Sequence, residues 1–335
     1  MRRVAPAIAL FFLSPLVAEF LLGDFPITLL FLVLALAPMY GGGALVIREL
    51  VRRTGRGWPS IILLALAYGV LEEGVTTMSL FNPNYVDAHL LDQGFVPALG
   101  IAVPWTIFVL TLHTVWSISV PIALIEEWTP RRTTPWLRTP GFVIGCALLA
   151  LGCFGTTMST YGNEHYVAAW PKLLAVAIVV IALIVAALRL PRREAPASRR
   201  PAPSPWVVLA TTLLAGVLFF VTNRSPVWAG VAAMLIALAG VAVAITRWSR
   251  APGWGRWHRL AAAAGALLTY AWHSFTTHPL MGGGPVVTPV SHAVLALAAV
   301  AMLWFEVGSL HRRVGNPPPP PTPNLPISTE GINSR

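Results

Sequence analysis

Ten apolar runs, each about 20 residues long, constrain the fold of this chain more than any other feature of its sequence. Their approximate ranges are 4–22, 26–47, 59–80, 98–125, 139–160, 168–189, 205–222, 226–246, 260–279 and 288–310. A helix of about 20 apolar residues crosses the roughly 30 Å hydrocarbon core of a bilayer and satisfies its own backbone hydrogen bonds. The sequence therefore predicts an all-α polytopic transmembrane helix bundle of about ten spans.

Composition and charge indicate what surrounds the chain and which partners it can have. The chain is 56% hydrophobic and 11% charged, whereas an ordinary soluble domain carries about 25% charged residues. This balance excludes a water-soluble fold and predicts the lipid bilayer as the surrounding medium. The net charge is +10, but the basic residues are spread between the apolar runs, which excludes a nucleic-acid partner. The 22 arginines against one lysine are typical of a GC-rich bacterial genome, so we expect a bacterial inner membrane.

The positions of the arginines predict the sidedness of the bundle. Arginine and lysine concentrate in short cytoplasmic loops of membrane proteins. If the N-terminus is cytoplasmic, every arginine except Arg224 falls in a cytoplasmic segment, and Lys172 is the other basic residue outside. A missed span would invert all later loops and destroy this bias. The sequence thus predicts that both termini are cytoplasmic.

The chain divides into four portions. Residues 1–190 are predicted to form a six-span membrane portion that carries most of the polar intramembrane residues. Residues 191–204, rich in Pro, Ala and Arg, are predicted to form a cytoplasmic linker. Residues 205–311 follow as a four-span membrane portion, and residues 312–335 as a disordered, proline-rich cytoplasmic tail.

Ionisable residues inside the apolar runs mark a candidate site. Such groups cost several kcal/mol in hydrocarbon and are therefore rare. Counted at 1.5 Å per residue from the arginine-rich end, Glu72, His113 and His273 each lie ~20 Å up three different helices. We therefore predict one polar site near the outer face of the bundle.

The adjacent pair Glu72 and Glu73 indicates the chemistry of this site. Two neighbouring carboxylates at such depth cannot both be comfortably ionised, so one is expected to hold a proton. A carboxylate of this kind suits a general base that activates water, with His113 and His273 as hydrogen-bond partners or as ligands of a divalent metal. It suits a proton-coupled transporter equally well. A third alternative is a buried polar lock in a structural subunit.

Other polar residues share faces with this site or border it. Residues on the helical faces of the glutamates and histidines, next to His113, or in the outer loop 81–96 are predicted to bind substrate: Tyr68, Thr76, Ser117, Trp116 and Asn84. The outer loop is a candidate lid. Glu126 and Glu127, close to Arg131 and Arg132, are expected to be a solvated surface pair.

The run Leu71-Glu72-Glu73-Gly74, followed by His113 and His273, resembles the CPBP membrane proteases, the CAAX-processing and bacteriocin-processing family. That family has paired glutamates with a nearby arginine, then a Phe-x-x-x-His helix and a His-x-x-x-Asn or Asp helix. This chain departs from that pattern at three positions: Thr77 stands at the position of the arginine, Val109 at that of the phenylalanine, and Thr277 at that of the final Asn or Asp. The resemblance implies peptide hydrolysis within the membrane, with Glu72 or Glu73 as the base and the two histidines as its partners.

Two active functions remain open from the sequence. The leading hypothesis is an intramembrane hydrolase, specifically a glutamate- or metal-dependent peptidase acting on a peptide. The alternative is a transporter or permease whose cluster binds a proton, a cation or a small polar substrate.

Overall fold

Ten helices form an all-α bundle in the computed structural model, which describes residues 4–130, 132–191, 200–223 and 226–315. They are α1 (Ala5–Leu21), α2 (Ile27–Arg53), α3 (Trp58–Thr76), α4 (Val103–Trp128), α5 (Thr139–Glu164), α6 (Trp170–Arg189), α7 (Pro205–Thr222), α8 (Val227–Ser249), α9 (Arg256–His273) and α10 (Val287–Gly315). A short hairpin pairs β1 (Phe95–Val96) with β2 (Ile101–Ala102) before α4. Residues 192–199 of the predicted linker and 316–335 of the predicted tail lie outside the described residues.

Each helix falls on one predicted apolar run, so the predicted all-α bundle is confirmed. Within the described part of the chain, eight helices are long and apolar enough to cross a membrane. The other two are α1, which is shorter, and α9, whose first turn carries Arg256 and Arg259.

The helices α2, α3 and α4 form the centre of the bundle. More than half of each is buried, whereas α5, α6, α7, α8 and α10 bury less than a quarter of their apolar stretch. Helix α4 packs against α1, α2, α3, α8, α9 and α10. The outer helices therefore turn their apolar side chains outward, as expected for surfaces that face lipid.

Three consecutive glycines allow α2 to approach three neighbours closely. A Cβ at Gly41 would lie 1.9 Å from a backbone carbonyl of α1, and one at Gly42 would lie 3.0 Å from a backbone amide of α5. At Gly43 the nearest atom would be a ring carbon of Tyr68 in α3, at 2.5 Å. Small residues at such crossings are the usual means by which membrane helices pack backbone to backbone.

Three π-helical turns are present, at the ends of α1 and α3 and in the middle of α4. They are Leu16–Leu21, Glu72–Thr76 and His113–Ser119. Proline contributes to the last one, because Pro121 has no N–H to bind the carbonyl of Ser117 in the α-helical pattern. The Ser14 hydroxyl of α1 donates to that carbonyl instead, at 2.5 Å. Such π-helical turns occur often at functional sites.

A buried layer of charged side chains joins α2 to α4 at the arginine-rich end. Oε1 of Glu126 accepts from Nε of Arg48 at 3.1 Å and from Nε of Arg52 at 2.7 Å. A terminal nitrogen of Arg52 reaches Oε2 of Glu126 at 2.6 Å, and Arg48 also pairs with Glu49 at 2.6 Å. We call Arg48, Glu49, Arg52 and Glu126 the arginine–glutamate layer.

The expectation that Glu126 and Glu127 form a solvated pair was wrong. Their exposed fractions are 1% and 3%. Glu127 lies 2.5 Å from Nε of Arg259 in α9, and Arg132 and Arg256 are 3.7 and 3.6 Å away. Both carboxylates are buried because arginines from other helices neutralise them.

Candidate functional site

His113 lies between the two adjacent glutamates of α3. Its Nε2 is 2.7 Å from Oε1 of Glu73, and its Nδ1 is 3.0 Å from Oε2 of Glu72. The exposed fractions are 1% for Glu72, 5% for Glu73 and 6% for His113. We call these three residues the triad. The triad exists because two π-helical turns face each other, one beginning at Glu72 and the other at His113.

Glu73 is held firmly by its neighbours. Besides the bond from His113, its Oε2 accepts from the hydroxyl of Thr77 at 3.0 Å and from the hydroxyl of Ser79. The indole N–H of Trp105 donates to Ser79 Oγ at 3.1 Å. Both oxygens of Glu73 are therefore occupied, and its position fixes the orientation of the His113 ring.

Glu72 differs from Glu73 in its hydrogen bonding. Neither of its oxygens receives an aligned hydrogen bond from the described part of the chain, although His113 lies at ion-pair distance. The hydroxyl of Tyr68 lies within hydrogen-bonding reach of Glu72, although without the alignment of a regular hydrogen bond. Buried polar atoms are seldom left in this state, so a binding role for Glu72 and Tyr68 stays a prediction that their geometry keeps open.

A third carboxylate borders the triad from α1. Glu19 lies in the remaining π-helical turn and accepts a hydrogen bond from the hydroxyl of Tyr40. The Tyr40 ring stacks on the His113 ring with centroids 6.1 Å apart, and Glu19 is within electrostatic reach of Glu72. From the sequence, Glu19, near the outer end of the first apolar run, could either join the site or be an interfacial residue. Tyr40 was not predicted, although it stands directly before the Gly41–Gly43 run.

The outer loop covers the triad on the side away from the arginines. Glu164, at the end of α5, accepts from the side chain of Asn82 at 3.2 Å and from the backbone N–H of Val86 at 3.1 Å. Burial, followed by the negative charge of Glu73, raises the pKa of Tyr85 above its ordinary value. The Tyr85 hydroxyl therefore keeps its proton at neutral pH and remains a hydrogen-bond donor near the triad.

The structure gathers some of the predicted site residues and separates others. Thr76 is buried in the π-helical turn of the glutamates, and Ser117 Oγ lies 3.3 Å from Nδ1 of His113. Asn84 lies in the outer loop, where its backbone N–H binds the side chain of Asn82. Thr76 and Ser117 therefore lie at the triad, whereas Asn84 is an exposed residue of the outer loop.

Two predicted residues lie in a separate aromatic cluster. His273 stacks on Phe220 of α7 at a centroid distance of 3.8 Å. Trp116 stacks on Tyr270 at 4.7 Å and donates its indole N–H to a carbonyl of α9. A catalytic or metal-binding role for His273 stays a prediction, and the triad is assembled without it.

The triad has the composition of a metal site. Each of Glu72, Glu73 and His113 offers one ligand atom, and these atoms lie within 4.8 Å of one another. Among the described residues this group does not include His273. Two carboxylate oxygens and one imidazole nitrogen would be the ligands of a divalent metal such as Zn²⁺, which would replace the present contact of His113 with one of the carboxylates.

Comparison with known proteins identifies a protein family. The model of an uncharacterized membrane protein family matches residues 8–313. No curated protein and no solved structure matches the chain.

Proposed function

Because the chain belongs to an uncharacterized membrane protein family, we propose its function from the triad: a membrane-embedded hydrolase in which Glu72 activates water. The observation that carries the proposal is the contrast between the two glutamates. Glu73 accepts regular hydrogen bonds from His113, Thr77 and Ser79, whereas the buried Glu72 has only His113 Nδ1 at 3.0 Å and the Tyr68 hydroxyl beside it, neither aligned as a regular hydrogen bond. A carboxylate in that state is suited to accept a proton from a bound water molecule.

The reaction follows from these positions. Water bound between Glu72 and Tyr68 gives its proton to Glu72 while its oxygen attacks the carbonyl carbon of an amide. The positive charge of a protonated His113, whose two ring nitrogens lie against Glu73 and Glu72, stabilises the oxyanion that forms beside Glu72. The C–N bond then breaks, and the proton held by Glu72 passes to the leaving amine. The products are a carboxylic acid and an amine.

The resemblance to the CPBP membrane proteases supports a peptide as the substrate. The paired glutamates and His113 stand at the matching positions and lie in contact in the structure. At the position of the family's arginine, Thr77 donates a hydrogen bond to Glu73. A small hydroxyl therefore stands at the position of that arginine, and in this chain it binds the second carboxylate.

Purified protein in detergent is expected to cleave apolar peptides in a way that depends on Glu72. In heavy-oxygen water, hydrolysis places the heavy isotope in the new carboxyl group, which mass spectrometry detects. The change Glu72→Gln removes the base and keeps the shape, so we expect the cleavage rate to fall by about 10²–10⁴-fold. If a metal is bound in the triad, dialysis against a chelator will lower the rate as well.

A matched control for this change is Glu306→Gln in α10. Glu306 is also buried and also has an oxygen without an aligned donor, but it lies outside the triad. Its replacement should leave the cleavage rate unchanged. Equal loss in both variants, or full activity in Glu72→Gln, would contradict the assigned role of Glu72.

A proton-coupled transporter is the second candidate function. It is supported by the closure of the site on both sides, by the outer loop with Tyr85 on one and by the arginine–glutamate layer on the other. A site enclosed in this way is typical of an occluded carrier. If the protein cleaves no peptide in detergent but mediates proton-dependent flux into proteoliposomes that Glu72→Gln abolishes, the transporter replaces the hydrolase.

We also propose that the arginine-rich end faces the cytoplasm of a bacterial cell, with both termini inside. In a variant without Cys146 and Cys153, Ala88→Cys in the outer loop should react with an impermeant maleimide on intact cells. Pro252→Cys, in the exposed turn between α8 and α9, should react only after the membrane is opened. The reverse labelling would overturn this orientation.

A further inference from the structure

The only lysine of the chain lines a cavity on the outer side of the bundle. Lys172 stands in the first turn of α6, whereas the other 22 basic residues are arginines. The cavity has a volume of about 270 Å³, and Asp92, Phe81, Leu91 and Phe95 also line it. It thus combines one cation, one anion and an apolar wall.

The ammonium group of Lys172 has hydrogen-bond donors available for a ligand. Its Nζ lies 4.9 Å from the centre of the Phe81 ring and 3.5 Å from the carbonyl oxygen of Gly100. Within the described residues, no carboxylate lies within 4.0 Å of this ammonium. An ammonium has three donors, so at least two remain for a ligand.

Asp92 stands apart from Lys172 in the same cavity. Its nearest basic atom is Nδ1 of His89, at 3.8 Å, and both of these side chains are largely exposed. Two opposite charges that share a small cavity without pairing offer separate positions for the two charged groups of a zwitterion. The apolar wall between them suits an uncharged side chain.

The cavity lies close to the triad. Val176, one turn after Lys172 in α6, packs on Gly74, where a Cβ would lie 2.6 Å from the valine methyl. Gly74 follows Glu73 directly. One helical turn rises about 5.4 Å. A ligand held by Lys172 therefore lies about one helical turn from the triad, toward the outer side of the bundle.

We propose that this cavity binds an apolar α-amino acid, with its carboxylate on Lys172, its ammonium group on Asp92 and its side chain against Phe81, Leu91 and Phe95. The volume of about 270 Å³ is sufficient for a molecule of amino-acid size. The inference is independent of the reaction at the triad, since a transporter or a peptidase could use such a site.

Binding of tritiated leucine to the purified protein in detergent tests the proposal. Competition with leucinamide, which lacks the carboxylate, and with isocaproate, which lacks the ammonium group, measures each charged contact. We expect leucine to compete at least about tenfold better than either analogue, because each loses a charge-assisted hydrogen bond. Measurement in the Glu72→Gln background keeps the result independent of cleavage.

Two variants assign the contacts. In Lys172→Met, leucine and leucinamide should compete equally well. In Lys172→Arg, leucine should regain much of its advantage over leucinamide. In Asp92→Asn, leucine and isocaproate should compete equally well. Leucine should still compete better than leucinamide in this variant. Both positions are on the outer surface, so elution as a single sharp species on size exclusion is expected for each variant. No detectable leucine binding, or equal competition by all three ligands in the unchanged protein, overturns the proposal.

Discussion

Replacement of Glu126 by alanine is expected to lower the free energy of unfolding by about 3–5 kcal/mol, because it leaves the buried Arg52 without a carboxylate partner. Arg48 is fully buried and Arg52 is 7% exposed. Arg48 keeps Glu49 at 2.6 Å, but Arg52 loses both of its bonds to a carboxylate. Removal of one partner of a buried ion pair costs far more than the pair contributes, since the remaining charge must be solvated by the protein.

Unfolding by sodium dodecyl sulfate in mixed micelles, followed by circular dichroism, gives the loss of free energy. The matched control is Asp92→Asn, which removes an exposed carboxylate 3.8 Å from His89 and should change stability by no more than about 0.5 kcal/mol. The double variant Glu126→Ala with Arg52→Ala should be more stable than the sum of the single changes predicts. Strict additivity would show that Glu126 and Arg52 do not depend on each other.

The order and type of the helices could be predicted from hydropathy, because a span must be apolar over about 20 residues. The predicted run 205–222 coincides with α7. The run 59–80 was too long at its end, since α3 stops at Thr76. There the chain turns at Met78, with φ of 57°, and the Ser79 hydroxyl binds Glu73. Hydropathy does not report such side-chain bonds.

The candidate site could be predicted in part, because depth along a helix is countable but the direction that a side chain faces is not. Glu72 and His113 lie at one level and meet, as their helices α3 and α4 pack together. His273 stacks instead on Phe220, because the packing of α9 on α7 determines which way it faces. The burial of Glu126 depends on arginines 74 and 78 positions away in sequence, which no local pattern indicates.

The change Gly41→Ala is expected to lower the free energy of unfolding by about 3 kcal/mol, at the top of the usual range for overpacking. The added methyl would lie 1.9 Å from the carbonyl oxygen of Phe11, which is backbone and cannot rotate away. Pro15 has no N–H for that carbonyl, so α1 presents it to α2. Helices α1 and α2 would have to separate, and Tyr40, the residue before Gly41, would shift with α2.

The matched control is Gly155→Ala in α5, where the added methyl meets no atom within 4 Å. Alanine is the better helix former, so this change should leave stability equal or slightly higher. Because Tyr40 binds Glu19 and stacks on His113, the Gly41 variant should also lose activity out of proportion to its folded fraction. If Gly41→Ala and Gly155→Ala unfold at the same detergent concentration, α1 and α2 do not cross as closely as described. If Gly41→Ala is destabilised but its folded fraction is fully active, the bond between Tyr40 and Glu19 does not support the triad.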